Sequence, residues 1–577
     1  MNPATPVKLQ VFNPTSRVNI SAPNAPRLDT LNGKTLCELW VSGNWAGERT
    51  FPVLRAMLRV RFPGINIVPY TEFPYTEKGL STRATYEPYF EKMGELLRAQ
   101  GCDAVLIGNG GCGCIIPVST VAALVEKAGF PTVTIVSDEY AEVIKVTAQG
   151  QGLAALPSAS FPSQVMWRQV EDVRPACENA LDAIIAGLTT WRPDESNATE
   201  PSEFVFEGAD YQDAVDQMES AFLARWWSDG LPLIPPTRER VAWLLTGTDL
   251  PREQIVTQKI SPRYGAITVE TVAINAAMAG ARPEYLPVIL AAIDALGATK
   301  AGLELSYVFQ ETLSPVAPWF IVNGPIVQEL NINSSFGVLG PGWKANATIG
   351  RAIGLVLNNG GGGNSGPAGT RRAQSTAARY TCCFAENAAE NPWSPFQVEN
   401  GFGADVSTVT IMAGKGTHLV HVVDGTEEIL RAAVRALKGF TYHDIGVPWD
   451  QWLILSPDHA QRLARGGWTK ASIRAYIHER ARIPLVEAKA DGIFLRFSES
   501  WLKQVATTQD HNLPIPITEK PEDLNIVVAG GTGNGNSTLV AGMRRKVIAE
   551  VDQYKPRNWV QLLERARQDL TSRVDIC

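Results

Sequence analysis

Asp103-Ala-Val-Leu-Ile-Gly-Asn-Gly-Gly-Cys112-Gly-Cys114-Ile-Ile-Pro-Val-Ser-Thr-Val-Ala-Ala-Leu-Val-Glu-Lys-Ala-Gly129 is the stretch whose reading decides the fold. Ala104 to Ile107 is an apolar run of strand length, Gly110, Gly111 and Gly113 mark a loop, and Val118 to Ala128 reads as a helix that stops at Gly129. A buried strand, a glycine loop and a helix in succession form one unit of a parallel α/β sheet. The loop places Cys112 and Cys114 at a helix N-terminus, where partial positive charge and unpaired N–H groups favour the thiolate. Any chemistry of this chain is expected to start at one of these two sulfurs.

The pattern continues on both sides. Gly33 to Val41 reads as a first strand, Phe51 to Phe62 as a helix and Ile65 to Val68 as a second strand. Tyr86 to Gln100 reads as a helix, Thr132 to Val136 as a strand, and Glu139 to Thr147 and Glu171 to Leu188 as helices. Alternating strands and helices predict a parallel sheet covered on both faces, with ligands gathering at the carboxyl ends of the strands, where the Cys112 loop falls.

Residues 1–30, rich in Pro, Asn and Ser, read as a loose N-terminal arm, residues 31–192 as the α/β thiol domain and the polar, proline-bearing 193–205 as a linker. Residues 206–577 read as a larger α/β companion region, divisible into two subdomains. It opens with a helix over 211–227 and holds two Ala-rich apolar helices over 269–280 and 285–297. His418 to Val423 reads as a strand and Thr426 to Leu437 as a helix. Near the end, a strand over 524–529, the loop Gly530 to Thr538 and a helix beginning at Leu539 are expected to repeat the strand, glycine loop and helix of the first half.

At 577 residues the chain exceeds one ordinary core, and 45% hydrophobic with 19% charged residues is globular composition. Net charge is −7 and the basic residues are dispersed, which argues against a nucleic-acid partner and for a small polar substrate. There is no signal-peptide core and no apolar run long enough to span a membrane, so a cytoplasmic protein without membrane partner is expected. In that setting the eight cysteines are expected to be free, catalytic or metal-binding rather than a disulfide framework. Too few ligands surround the Cys112 loop for zinc, with Cys102 alone unable to complete a set, so no metal and no cofactor is expected there.

All six histidines, His418, His421, His443, His459, His478 and His511, lie in the second half, so no Cys–His dyad can form within the first domain. His418 and His421 are three apart, on opposite faces of a strand, and read as structural. His443 beside Asp444 is a weak base candidate. Glu386, ending an apolar run beside Asn387, is the candidate acid or base. Cys382 and Cys383, in a pattern that fits a buried strand, are secondary thiols. Polar groups of the substrate are expected to meet Asn109, Gly111, Gly113, Asn346, Asn358, Gly531, Thr532, Gly533, Asn534 and Asn536. Gly530 to Ser537 has phosphate-loop spacing with Asn536 where that loop carries lysine, so NTP hydrolysis is not expected, only an anion resting on loop amides.

Gly33-Lys-Thr ahead of the first strand, the Cys112-Gly-Cys114 loop and Glu126-Lys-Ala-Gly-Phe-Pro-Thr-Val together resemble the UGSC-motif (seleno)proteins over roughly residues 31–190. More distantly they resemble the selenocysteine subunits of glycine and proline reductases. That resemblance implies reductive cleavage of a carbon–heteroatom bond by a selenol or thiol. This chain has Cys-Gly-Cys, one residue shorter than Cys-Gly-Ser-Cys, and Cys112 fits the first position by order. The second half, with Trp227-Ser-Asp-Gly-Leu-Pro and Ala317-Pro-Trp-Phe-Ile-Val-Asn-Gly-Pro, resembles an uncharacterised companion domain of such proteins, which implies no activity.

The expected function is that of a cofactor-independent cysteine enzyme, a thiol-dependent oxidoreductase working as a homodimer or higher homo-oligomer. In it Cys112 attacks at the domain interface, Cys114 assists and Glu386 moves the proton. A lyase or hydrolase with one nucleophilic cysteine is the alternative. A non-catalytic redox sensor or small-ligand-binding protein is the third reading.

Overall fold

The computed structural model describes residues 6–41, 45–73, 92–111, 115–193, 201–312, 314–364, 366, 374–439, 449–490, 499–533 and 535–570. Cys112, Gly113, Cys114, His443, Asp444 and Asn534 lie outside the described residues.

The first strand is unexpected. β1 (Val7–Phe12) pairs antiparallel with β7 (Glu203–Gly208), so residues read as a loose arm and a linker form a ribbon. Leu9 and Val11 bury themselves in the core of the C-terminal region, which anchors the arm there rather than on its neighbours in sequence. The alternation in Val7-Lys-Leu-Gln-Val-Phe12 is the period-2 signal that the Pro- and Asn-rich flanks obscured.

Five strands form the N-terminal sheet: β2 (Thr35–Trp40), β3 (Asn66–Val68), β4 (Ala104–Gly110), β5 (Thr132–Ser137) and β6 (Ser158–Phe161). All neighbours run parallel, in the order β3-β2-β4-β5-β6. Side chains on β4 alternate between two cores, with Ala104 and Leu106 on one face and Val105 and Ile107 on the other. The helices Gly47–Arg61 and Arg174–Thr189 cover the first face, and Met93–Ala99, Ile115–Lys127 and Ala141–Gly150 cover the second. Burial on both faces explains the unbroken apolar runs. Chain direction reverses between β2 and β4, because β3 is added on one side of β2 and all later strands on the other. That is the topological switch point of a doubly wound sheet, and the loops after β2 and β4 flank it.

The C-terminal region begins with a small ribbon of β8 (Ile255–Thr257) and β9 (Ile267–Thr268). Its main element is a mixed seven-stranded sheet of β10 (Ala317–Asn323), β11 (Cys383–Ala385), β12 (Thr408–His421), β13 (Gln451–Leu455), β16 (Leu524–Val528), β17 (Asn536–Gly542) and β18 (Val547–Glu550). A further ribbon joins β14 (Arg482–Pro484) to β15 (Pro514–Pro516). The apolar helices Val269–Met278 and Leu286–Ala298 lie where expected and fill the core on one face of β10 and β12. No single described helix is long and apolar enough to cross a membrane.

One expected element is corrected. Asn536 to Gly542 is a strand, not the loop end and start of a helix, and it lies antiparallel between β12 and β13. Leu539 packs into one core and Val540 into the core on the opposite face. A short apolar run buried on both sides has no period that separates strand from helix, and its central place in the sheet decides. The strand and glycine loop of the second unit are present, but a strand follows them where a helix was expected.

The two halves meet along the helix Ala141–Gly150 and the 13–17 segment. Arg263 donates to the Ser16 carbonyl at 3.0 Å, Ser16 to the Gly360 carbonyl at 2.6 Å, and Asn275 to the Pro14 carbonyl at 2.9 Å. Gly150 is required at this seam, since a Cβ there would collide with the Arg263 carbonyl.

Cys37 and Cys102 are disulfide-bonded, against the expectation of free thiols. Cys37 lies on β2 and Cys102 precedes β4, so adjacent parallel strands bring together two residues 65 apart in sequence.

Candidate active site

β4 carries the chain to the carboxyl end of the sheet as Gly108-Asn109-Gly110-Gly111. Asn109 is fully buried, and its amide nitrogen donates to the Trp45 carbonyl at 2.8 Å and the Thr50 hydroxyl at 3.0 Å. It ties the loop after β4 to the start of the helix Gly47–Arg61 and so positions the site rather than contacting a substrate through that amide. Trp45 and Ala46 both have left-handed backbone (φ 64° and 59°), an uncommon conformation for residues with a Cβ. A Cβ at Gly111 would lie 3.1 Å from the Trp45 ring, so the absent side chain admits the indole. Trp167 meets Trp45 edge-on at 4.6 Å.

The described residues resume at Ile115 with the helix Ile115–Lys127, whose N-terminus lies at the same end of the sheet. Ser119 donates to the Ile115 carbonyl at 2.7 Å. Beside this opening β5 ends at Ser137. The Trp45 indole nitrogen and the Ser137 hydroxyl are buried with no hydrogen-bond partner among the described residues. Gly111, Ile115, Trp45 and Ser137 thus surround the switch point, and Cys112, Gly113 and Cys114 are the residues between Gly111 and Ile115. Sequence reasoning missed Trp45 and Ser137, because their neighbourhood arises from strand order.

Glu386 lies elsewhere. It follows β11, buried, on the sheet face that carries Trp319, Ile321 and Phe384. Its carboxylate accepts from Asn323 at 2.5 Å, from the Phe396 N–H at 2.6 Å and from Asn391 at 2.9 Å. Burial raises its pKa, partly offset by the charge of Lys470 and these N–H groups. Glu386 is expected to share a site with the Cys112 loop; its hydrogen-bond partners among the described residues all belong to the C-terminal region, and Cys112 lies outside the described residues. The described contacts between the halves likewise run along the helix Ala141–Gly150, not across the carboxyl ends of the strands.

Most of the other candidates are absorbed by structure. Asn346 spends both ends of its amide on the Asn333 backbone, at 2.8 and 3.1 Å, and so shapes the turn that carries Phe336 over Gly531. Asn387 donates to the Gly530 carbonyl at 3.3 Å, which brings Glu386, Asn346 and the Gly530 loop to one end of the C-terminal sheet. Thr532 and Gly533 lie on that loop, half-buried and exposed. The Asn536 amide oxygen is 2.6 Å from the His421 ring. Asn358 is half-buried in a π-helical turn, Val356–Gly360, far along the chain from the loop. Burial pushes the Cys383 thiol up to about 12 and raises Cys382 as well, so both stay neutral near pH 7. Among the described residues no three His, Cys, Asp or Glu side chains gather to hold a metal ion.

Sequence reasoning also missed the buried pair His459 and Ser537. The Ser537 hydroxyl is 2.7 Å from His459 Nδ1, and Nε2 is 2.8 Å from the Val422 carbonyl. The Ser456 N–H donates to the same hydroxyl at 3.0 Å. Every polar atom of the pair is engaged internally, and burial pushes the histidine pKa down, which suits a neutral ring fixing the return from the Gly530 loop.

Comparison with curated proteins gives no match. Residues 10–190, which span the parallel sheet and the Cys112-Gly-Cys114 loop, match the model of the UGSC family. The N-terminal domain is thus similar to the UGSC family over about a third of the chain.

Proposed function

We propose that the protein is a cofactor-independent, thiol-dependent oxidoreductase that cleaves a carbon–heteroatom bond of a small polar substrate. The observation that carries this reading is the position of Gly111 and Ile115 at the switch point between β2 and β4, where doubly wound sheets hold their ligands. The paired cysteines between them supply the two electrons. Cys112, as thiolate, displaces the heteroatom, which leaves with a proton as H–X, and a carbon–sulfur bond forms. Cys114 attacks that sulfur, the carbon departs with a proton as R–H, and a disulfide remains. The sum is R–X plus two thiols giving R–H, H–X and a disulfide, and an external dithiol restores the enzyme. The first-turn N–H groups of Ile115–Lys127 lower the cost of the thiolate. The Trp45 N–H and the Ser137 hydroxyl are placed to bind polar substrate groups.

The test uses the full chain with dithiothreitol and a panel of small polar compounds bearing an activated carbon–heteroatom bond. Reductant consumed in step with turnover, and lost in both Cys112→Ser and Cys114→Ser, supports the reading. Turnover retained in Cys114→Ser makes the protein a single-nucleophile lyase or hydrolase instead. Ligand affinity retained in both variants without turnover makes it a binding protein.

A further inference from the structure

A second feature, independent of the thiols, lies on the face of the C-terminal sheet around Glu386. Asn323 ends β10 and stands directly opposite Thr408 of β12 in the antiparallel register. Directly paired residues place their side chains on one face, and Thr410, two residues along, shares it. Trp319, Ile321 and Met412 confirm the face, since all three enter the same core while Val409 and Ile411 enter the other. Asn323 also donates to Glu386 Oε2, and the Phe396 N–H bonded to the same oxygen brings Gln397 alongside.

The side chains of this group are removed from water yet only partly used. Asn323 is 2% exposed, Gln397 3%, and Thr408 and Thr410 0%. Asn323 Oδ1, Gln397 Oε1, Thr408 Oγ1 and Thr410 Oγ1 have no hydrogen-bond partner among the described residues. A buried polar atom left unpaired is destabilising. Asn323 adjoins the Glu386 carboxylate directly, Thr408 and Thr410 share the sheet face of Asn323, and Gln397 follows the residue whose N–H caps that carboxylate. All four are oxygens that can accept, the two hydroxyls being able to donate as well, and the carboxylate beside Asn323 is that of Glu386. Lys470, whose charge acts on Glu386, is itself tied to Glu399 at 2.9 Å and to the Ser394 carbonyl at 3.1 Å.

We infer that Asn323, Gln397, Thr408, Thr410 and Glu386 form a binding site for a compact monovalent cation, either an alkali ion or a primary ammonium group. Amide and hydroxyl oxygens with a single carboxylate are the hard, weakly charged donors that such a cation takes. A transition metal would want imidazole or thiolate, and neither is among these side chains.

Thermal unfolding of the full chain is measured in equal concentrations of potassium, sodium, ammonium, methylammonium and tetramethylammonium chloride. Tetramethylammonium matches ionic strength but offers no N–H donor and is too bulky for close oxygen contacts. A saturable rise of the midpoint with at least one of the first four, over tetramethylammonium, is expected. Potassium or sodium as the effective species identifies an alkali-ion site, and methylammonium an amine site. Thr408→Val with Thr410→Val keeps the side-chain shape and should abolish the rise, while in tetramethylammonium it leaves the midpoint equal or higher. A wild-type midpoint indifferent to the cation overturns the inference, as does a rise that survives in the double variant or, should that variant not fold, in Thr410→Val alone.

Discussion

Two glycine loops come after buried strands in this protein, and they end differently. After β4, Gly110-Gly111 leads through three residues into the helix Ile115–Lys127, at the switch point of a parallel sheet. After β16, Gly530 to Gly533 leads into β17, which turns back antiparallel through the middle of a mixed sheet. Both have the composition of a ligand cradle. The first runs into a helix N-terminus and its macrodipole and lies where the order of strands switches, whereas the second runs into a strand. The second is occupied by its own chain: Phe336 lies over Gly531, Asn387 on the Gly530 carbonyl, and Asp458 accepts from Gly535 at 2.9 Å. Whether a glycine loop becomes a site depends on the element into which it leads.

The contrast is broken most directly at the thiols. Cys112→Ser and Cys114→Ser are each expected to lower turnover by about a thousandfold or more, read as initial rates with saturating dithiol. Iodoacetamide labelling and subsequent mass spectrometry should find Cys112 and Cys114 faster than a model thiol at pH 7. Cys383 and Cys177, both pushed up to about 12 by burial, should label roughly a thousandfold more slowly than a model thiol in the folded protein. Equal rates at all four would remove the distinction between the first loop and the rest of the molecule.

A smaller effect concerns what holds the first loop's sheet together. Reduction of Cys37–Cys102, which links residues 65 apart, should cost about 4 kcal/mol in denaturant unfolding. Gly150→Ala, which collides with the Arg263 carbonyl at the seam between the halves, should cost about 1–3 kcal/mol in denaturant unfolding.

The second loop is probed by pH. His459 has a folded pKa below its unfolded value because burial disfavours the charged ring. As pH falls the unfolded state takes up the proton first, so this contribution is present above about 6.5 and is lost as pH falls toward the folded value. Chemical denaturation between pH 8 and 5 should show a decline in stability that His459→Gln flattens. The smallest effect is expected at Asn536→Ala, whose amide oxygen faces His421: stability within about 0.5 kcal/mol and turnover within about twofold.

The sheet of the first half was legible because its signals are local. Ala104 to Ile107, Thr132 to Val136 and the helices between them carry apolar runs and glycine stops that nearby residues alone determine. Asn109, Asn346 and Asn536 were legible as polar residues in glycine-rich loops, but not as residues whose amides are already engaged. Their partners, Trp45 and Thr50, Asn333, and His421, are set by packing.

The sequence by itself determined where a thiol could be activated, since a strand, two glycines, Cys-Gly-Cys and a helix are contiguous and need no distant residue. It also determined the α/β class, through the spacing of apolar residues. Tertiary structure alone decided that Gly111 and Ile115 stand at the switch point, that Cys37 meets Cys102, and that Leu539 to Gly542 is a central strand. It alone placed Glu386 among Asn323, Asn391 and Phe396 in the C-terminal sheet. The physical reason is that strand order and facing depend on which surfaces bury each other, and residues 60 or more apart have no local period to announce it.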